Sequence, residues 1–461
     1  MNQTQIQDYI KKQKDFYNSG KTLSLEFRKK HLKLLLNLIL KHESDLLAAI
    51  NKDLHRPLFE CYTAEVGFIM QEIRHCIKKL RHWTSIKKVP TPLGLFPGKS
   101  YIYPEPYGLS LIIGPWNYPF VLLIAPLIGS MAAGNCTVLK PSEFAVATGN
   151  VIKKLINENF DPAYLLIIEG EIKETQVLLN QNFDYIFFTG STVVGKIIME
   201  KAAKTLTPVT LELGGKCPAI VDKDTEIDQT ARKIVWGKFY NAGQTCIAID
   251  HVLVEKSIKM KLIEKIKHHI KIFYSEDIIT SPDYSRIINQ KQFDRLSAYL
   301  KQGNIIYGGQ TDKNNLFISP TLIDQVTEKD SVMQDEIFGP LLPVLEYTNL
   351  DDLINQYKTR DKPLALYIFS NNRKNQEFIL KNLSSGGVTI NDTLLHTFTR
   401  ELPFGGVGNS GMGKYHGKSS FDTFTNFKSV FKQTTLIDPP IKYPPYGNRL
   451  NLIKKIFRLF Y

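Results

Sequence analysis

Three side chains in this sequence have the type and setting to do acyl chemistry. Cys246 stands in "NAGQTCIAID", with small and polar residues before it and an apolar run after it. It reads either as a buried inert thiol, because free Cys is among the most buried residue types, or as a nucleophile. In the second reading, backbone amides or a positive dipole would lower its pKa. Glu212 stands in "VTLELGG". On a strand, Leu211 and Leu213 point to the opposite face from Glu212, and the glycines end the strand just beyond it. It is either a carboxylate on a solvated face or a partly desolvated general base with a raised pKa. Asn117 stands between two prolines in "GPWNYPF". It reads as turn chemistry or as an amide donor to an oxyanion.

A fourth stretch, "FFTGSTVVGKI" from Phe187 to Ile197, has the spacing G-x-x-x-x-G-K. A nucleoside-triphosphate P-loop needs Ser or Thr after the Lys to ligate Mg²⁺, and Ile197 stands there. The dinucleotide fingerprint G-x-G-x-x-G is absent too. The glycines after an apolar strand still suit backbone amides that approach a phosphate at a helix N-terminus. An ordinary strand-to-helix turn, a different nucleotide contact and a degenerate P-loop all remain open from this loop alone.

The elements that must position these residues follow from pattern. Leu32, Leu35, Leu36, Ile39 and Leu40 keep helical spacing, as do Val66, Ile69, Met70, Ile73, Ile77 and Leu80. The first 85 or so residues are therefore predicted to be helical. The Pro-, Gly- and aromatic-rich "KKVPTPLGLFPGKSYIYPEPYG" then suggests an arm of extended strands. Strands and helices alternate after it: "LSLII", "TVLK", "YLLII" and "YIFF" each precede a helical segment. That alternation predicts a doubly wound parallel sheet with ligands beyond the carboxyl ends of its strands. The loops "LKPSE" and "FFTGS" lie at such ends. No charged residue occurs from 106 to 139, but Gly114, Pro115, Pro119, Pro126, Gly129 and Gly134 interrupt the stretch. It reads as interior strands and a helix, not as a membrane span of about 20 residues.

With 461 residues the chain is long enough for about two or three domains. Its 43% hydrophobic and 22% charged content is ordinary for a soluble protein. The net charge of +13 is spread along the chain, with no Arg-rich arm and no nucleic-acid motif, so no nucleic-acid partner is expected. Five cysteines, at 61, 76, 136, 217 and 246, form no C-x-x-C pair and accompany no His cluster. This argues against a disulfide scaffold or a metal site and for a reducing, cytoplasmic setting. The polar N-terminus lacks a signal-peptide apolar core.

The strings "PWNYPF", "LKPSE", "FFTGSTVVGK", "LELGGK", "GQTC", "EIFGPLLP" and "LPFGGVGNSGMGKYHG" occur in this order. The series resembles the aldehyde dehydrogenase superfamily, most of all its class-three branch for fatty and aromatic aldehydes. The early position of Asn117 and the "YHG" and "KYPPY" strings add to the likeness, which spans about residues 5 to 447. The resemblance implies an α/β fold with three parts: a doubly wound parallel-sheet cofactor domain (1–86 and 107–209), a second α/β catalytic domain (210–394) and a small β-rich oligomerisation arm (87–106 and 395–435). A tail follows from 436 to 461.

The resemblance also implies NAD(P)⁺-dependent oxidation of an aldehyde to the acid, with Cys246 as nucleophile, Glu212 as hydrolytic base and Asn117 as oxyanion donor. Gly190, Ser191 and Gly195 become the dinucleotide loop. Lys140 and Glu143 lie at the adenosine ribose, Glu336 and Phe338 at the nicotinamide ribose and ring, and Trp116 joins the cofactor contacts. NAD is expected, with NADP accepted, and no metal is needed. Cys217 is assigned to packing. A semialdehyde dehydrogenase for a small polar substrate is the enzymatic alternative, with Arg400 as the candidate clamp for a second carboxylate. The segment holding Arg400 and Glu401 leaves specificity open. An inactive binding or structural relative is the non-enzymatic alternative.

A homodimer is expected from the branch. In "NRLNLIKKIFRLFY", residues 448–461, Leu450, Leu452, Ile453, Ile456, Phe457, Leu459 and Phe460 share one helical arc. The other arc is basic. The tail is expected either to dock on the body or to lie on the inner face of a membrane. In the second case the substrate would be a long apolar aldehyde, fatty or isoprenoid.

Overall fold

The structure, a computed structural model, describes residues 1–460. Tyr461 and the side chains of Ile456, Leu459 and Phe460 lie outside the described residues. The N-terminal region is helical as its apolar spacing predicts: Gln3–Asn18, Leu25–Lys41, Glu43–Leu54, Leu58–Cys61 and Gly67–Trp83, with a π-helical turn at Tyr62–Val66. Leu32, Leu35 and Ile39 are buried, while Leu40 at the edge of the stripe is exposed.

Two mainly parallel sheets follow. The six-stranded sheet has the order Gly411–Met412, Val209–Glu212, Tyr185–Thr189, Leu109–Ile113, Cys136–Lys140, Leu165–Ile167. Only the Gly411–Met412 strand is antiparallel. The chain starts this sheet at Leu109–Ile113, builds outward to one side, then returns to build the other. The crevice at that reversal is where doubly wound sheets bind ligands, and the loops after Ile113 and Thr189 open onto it. The strands Leu109–Ile113, Cys136–Lys140 and Tyr185–Thr189 are buried along their length and mostly apolar because helices cover both faces. One of these helices, Val121–Ala133, is buried on every side. Among the described residues no helix is long and apolar enough to cross a membrane.

The seven-stranded sheet has the order Asn304–Tyr307, Thr321–Asp324, Leu341–Tyr347, His251–Glu255, Pro218–Val221, Ala365–Phe369, Gly387–Ile390. A three-stranded antiparallel sheet joins Lys87–Val89, Lys99–Pro106 and Thr425–Lys432.

Two boundaries differ from the sequence expectation. Val209–Glu212 pairs with Tyr185–Thr189, so the first sheet runs past 209 and through Glu212. Of residues 395–435, the second stretch expected in the arm, only Thr425–Lys432 lies in the arm sheet. Helix Gly417–Thr423 packs on helix Val121–Ala133, where a Cβ on Gly129 would meet the Ser420 backbone at 2.6 Å. Leu394, Thr397, Phe398, Phe404, Tyr415 and His416 line the cavity described next.

Candidate active site

Cys246 sits in the loop that leads from helix Ile227–Phe239 to strand His251–Glu255. The loop is pinned residue by residue. Asn117 Nδ2 donates to the Gln244 carbonyl at 3.0 Å. The hydroxyls of Tyr118 and Thr245 are 2.7 Å apart. Tyr367 donates its hydroxyl to the Ile247 carbonyl at 2.5 Å. The Cys217 thiol lies 3.4 Å from the Cys246 carbonyl and accepts the Ala365 N–H at 3.3 Å, so it packs beneath the loop.

The expected lowering of the Cys246 thiol is not what this environment produces. Burial pushes it well up, and Glu336 and Glu212 push the same way. The backbone N–H groups of Cys246 and Ile247 pull it down, but less. Those two amides still face the sulfur, where an oxyanion would form.

Glu212 ends its strand with 2% of its surface exposed, so the solvated-face reading fails. Both its carboxylate oxygens are buried without a hydrogen-bond partner. Burial lifts its carboxyl far above the usual range, against a weaker pull from Lys414. An amide has two N–H donors. Asn117, itself buried, gives one to Gln244 and keeps the other.

An outward-opening cavity of about 90 Å³ ends on Cys246. Its wall is largely aromatic and aliphatic, with Phe68, Tyr118, Leu122, Phe398, Phe404 and Tyr415 among its residues, and it contains no Lys, Arg, Asp or Glu. His416 also lines it and stacks on Phe404. Burial pushes its ring down to about 3, so it is neutral. Arg400 does not reach into this cavity. It pairs with Glu72 at 3.1 Å and donates to Gln71.

On the other side lies a cleft of about 510 Å³, bordered by Thr192, Lys196, Gly214, Gly215 and Glu336. Ser191 caps helix Thr192–Ala203 and is exposed. Gly195 lets that helix approach the turn after Glu212, since a Cβ there would meet Leu213 at 2.6 Å. Gly190 donates its N–H to the Glu212 carbonyl at 3.0 Å. Lys140 and Glu143 are 3.7 Å apart at the end of their strand. Trp116 and Phe338 meet edge to face, centroids 5.4 Å apart. Burial and Asp250 push Glu336 up to about 8. Lys216, paired with Asp250 at 2.5 Å, also donates to the Val332 and Asp335 carbonyls, which ties the "ELGGK" turn to the "EIFGP" loop.

These residues fit a dinucleotide. The first N–H groups of a helix have no internal acceptor, and the Thr189 hydroxyl just before Gly190 is buried without a partner. Among the described residues no group of three or more His, Cys, Asp and Glu is placed to hold a metal. Sequence reasoning missed Thr189, the cavity wall and a buried Arg56, Glu65 and Asn241 network behind Asn117. The left-handed backbone of Asn241 and Ala242, at φ 52° and 49°, has no side-chain signature that could have announced it.

Comparison with known proteins agrees with this geometry. The model of the "Aldehyde dehydrogenase family" matches residues 1–430. The 4,4′-diaponeurosporen-aldehyde dehydrogenase of Staphylococcus aureus is 48% identical over 447 residues, 96% of this chain and 97% of that protein. Aldehyde dehydrogenase family 3 member A2 of Pongo abelii is 45% identical, over 95% of this chain and 90% of its own length. The solved substrate-bound state of Staphylococcus aureus AldH superposes with a TM-score of 0.96 at 47% identity, over 98% of this chain and 99% of that one.

Proposed function

The chain belongs to the aldehyde dehydrogenase family, and from that premise we propose that it oxidises a long apolar aldehyde, fatty or isoprenoid, or an aromatic one, to the acid with NAD(P)⁺. The observation that carries the substrate class is the cavity at Cys246, whose wall is aromatic and aliphatic and free of charged side chains. A charged substrate would lose its hydration there with nothing in return. A semialdehyde carrying a second carboxylate is disfavoured further because Glu72 and Gln71 engage Arg400, its one candidate clamp. The name of the staphylococcal relative, a 4,4′-diaponeurosporen-aldehyde dehydrogenase, points the same way.

In the proposed mechanism the Cys246 sulfur attacks the carbonyl carbon as thiolate. The free N–H of Asn117 and the Cys246 amide receive the negative oxygen. Removing one such donor typically costs about 3 kcal/mol of barrier. Bound NAD(P)⁺ would supply the hydride acceptor for conversion of the Cys246 adduct to a thioester, and a positive charge that would favour the thiolate. Glu212, whose oxygens are free of other donors, takes a proton, once it has itself lost its own, from the water that hydrolyses the thioester. Gly190, Ser191 and Gly195 would face the pyrophosphate, Lys140 and Glu143 the adenosine ribose, and Trp116, Glu336 and Phe338 the nicotinamide end. Glu143 opposes a 2′-phosphate while Lys140 attracts one, which supports NAD with NADP accepted.

The test is kcat/KM against aldehyde chain length, with NAD and with NADP, for the wild type and Phe398→Ala. Phe398 is 40% exposed at the cavity wall. The wild type should improve with chain length and the variant should lose about tenfold on long chains only, near the lower end of what burying one large side chain contributes. A flat profile in both would reject the substrate class. The arm sheet is also proposed to pair two copies, which light scattering at micromolar concentration would refute by giving a monomer mass.

A further inference from the structure

Arg56 is fully buried, and each of its nitrogens has its own acceptor. Nε donates to Asn241 Oδ1 at 3.1 Å, Nη1 to Glu65 Oε1 at 2.5 Å, and Nη2 to the backbone carbonyl of Asn117. The guanidinium also lies over the Tyr118 ring, 4.4 Å from its centre. The second oxygen of Glu65 accepts the N–H groups of Phe120 at 2.8 Å and Val121 at 3.0 Å. One ion pair therefore holds both ends of the turn 117–121.

The same turn is tied to the Cys246 loop, through the Asn117 carbonyl that Arg56 also bonds. Asn241 Nδ2 donates to the Asn117 carbonyl at 3.0 Å and lies 3.2 Å from the Gln244 carbonyl. The Asn117 side chain reaches the same Gln244 carbonyl. Asn241 does this from a left-handed backbone, a conformation that non-glycine residues rarely adopt.

A buried ion pair is weak evidence for stability, because desolvating two charges can cost more than their attraction returns. What the guanidinium supplies is fixed direction, since its planar fork sets three donors at set angles. We propose that Arg56, paired with Glu65, is a positioning residue that fixes the Asn117 amide against the Cys246 loop, so that the oxyanion site is formed before substrate arrives. The proposal rests on Asn117 being the oxyanion donor. A misplacement of about 1 Å at such a donor can cost about a hundredfold in rate.

The experiment is a double-mutant cycle in the full-length enzyme, Arg56→Lys with and without Asn117→Ala, read in the NADH burst rate, in KM and in iodoacetamide alkylation of Cys246. Alkylation forms an S–C bond with loss of iodide and passes through no oxyanion, so it reports the thiol alone. Arg56→Lys should slow the burst tenfold or more, leave KM within threefold and leave alkylation unchanged. In the Asn117→Ala background it should cost less than a further threefold. An equal loss in both backgrounds, or alkylation slowed in step with the burst, would overturn the proposal. A normal burst in Asn117→Ala alone would reject the oxyanion reading and this proposal with it. Asn241→Gly keeps the left-handed backbone and removes the bridging amide. It should repeat the pattern, and it carries the test if Arg56→Lys does not fold.

Discussion

Lys414 bears on Glu212 without bonding it. Its ammonium donates to the carbonyls of Gly405 and Gly386, and both Glu212 oxygens are left without a donor. Burial therefore dominates and raises the carboxyl well above the ordinary range. A base must be deprotonated, so thioester hydrolysis should speed up as pH rises through that raised value. Glu212→Gln should keep the NADH burst, slow the steady state about a hundredfold and lose that pH limb. The same shift sets a stability trend. The native state holds this proton more tightly than the unfolded chain, so stability falls as pH climbs from the usual carboxylate range towards the native value. Thermal unfolding of Glu212→Gln should show a Tm gain over the wild type that widens with pH. A burst lost as fully as the steady state would move the base elsewhere.

Cys246 without cofactor should be a sluggish nucleophile. Its thiol is raised by burial and by the two carboxylates, Glu336 and Glu212, so only a small fraction is thiolate near pH 7. Alkylation by iodoacetamide should climb through pH 9 without a plateau and should quicken when NAD⁺ is added. A plateau near pH 7 in the cofactor-free enzyme would contradict this. Cys246→Ala should lose dehydrogenase activity and still bind NADH, as followed by its fluorescence.

That thiol marks where the sequence stopped being legible. Strands such as Tyr185–Thr189 are mostly apolar and buried throughout, so the alternation of strand and helix could be read directly. Cys246, Glu212 and Asn117 were readable as motif strings. Whether a thiol meets amides or apolar walls depends on Tyr118, Phe404 and Tyr415, which approach from distant segments. Arg56 is one of 58 Lys and Arg residues, and nothing local separates it from the exposed ones. The sheet change after Glu212 was missed for a similar reason. Val209–Glu212 and Pro218–Val221 are two short strands separated by five residues, and only their hydrogen-bonded neighbours assign them to different sheets.

Cofactor choice should turn on Glu143. Its carboxylate is 3.7 Å from the Lys140 ammonium, so in the proposed cofactor site it would both repel a 2′-phosphate and partly neutralise the cation that would bind one. Glu143→Gln removes both effects. The NADP/NAD ratio of kcat/KM should rise about tenfold, which corresponds to about 1.4 kcal/mol. An unchanged ratio would give the discrimination to another residue.

The tail is expected to bind an anionic membrane surface. Helix Leu450–Phe460 exposes Leu450, Leu452 and Phe457, with Ile453 half-buried; the side chains of Ile456, Leu459 and Phe460, which complete the apolar arc in the sequence, lie outside the described residues. From Ile441 to Tyr461 the chain carries Lys442, Arg449, Lys454, Lys455 and Arg458 and no acid. Leu450 and Leu452, facing solvent on a helix that also carries Lys454, Lys455 and Arg458, suit an anionic lipid surface better than the body of this basic protein, whose chain carries a net +13. Each basic residue at such a surface contributes about 1 kcal/mol, and the buried apolar face adds to it. The full chain should sediment with anionic vesicles, less so with neutral ones, and less as salt rises. A chain ending at Gly447 should stay in the supernatant and keep its activity on short, water-soluble aldehydes. Long-chain aldehydes held in the vesicles should separate the two, with kcat/KM higher for the full chain. Equal sedimentation, with equal activity on vesicle-held aldehyde, would mean that the helix docks on the enzyme itself.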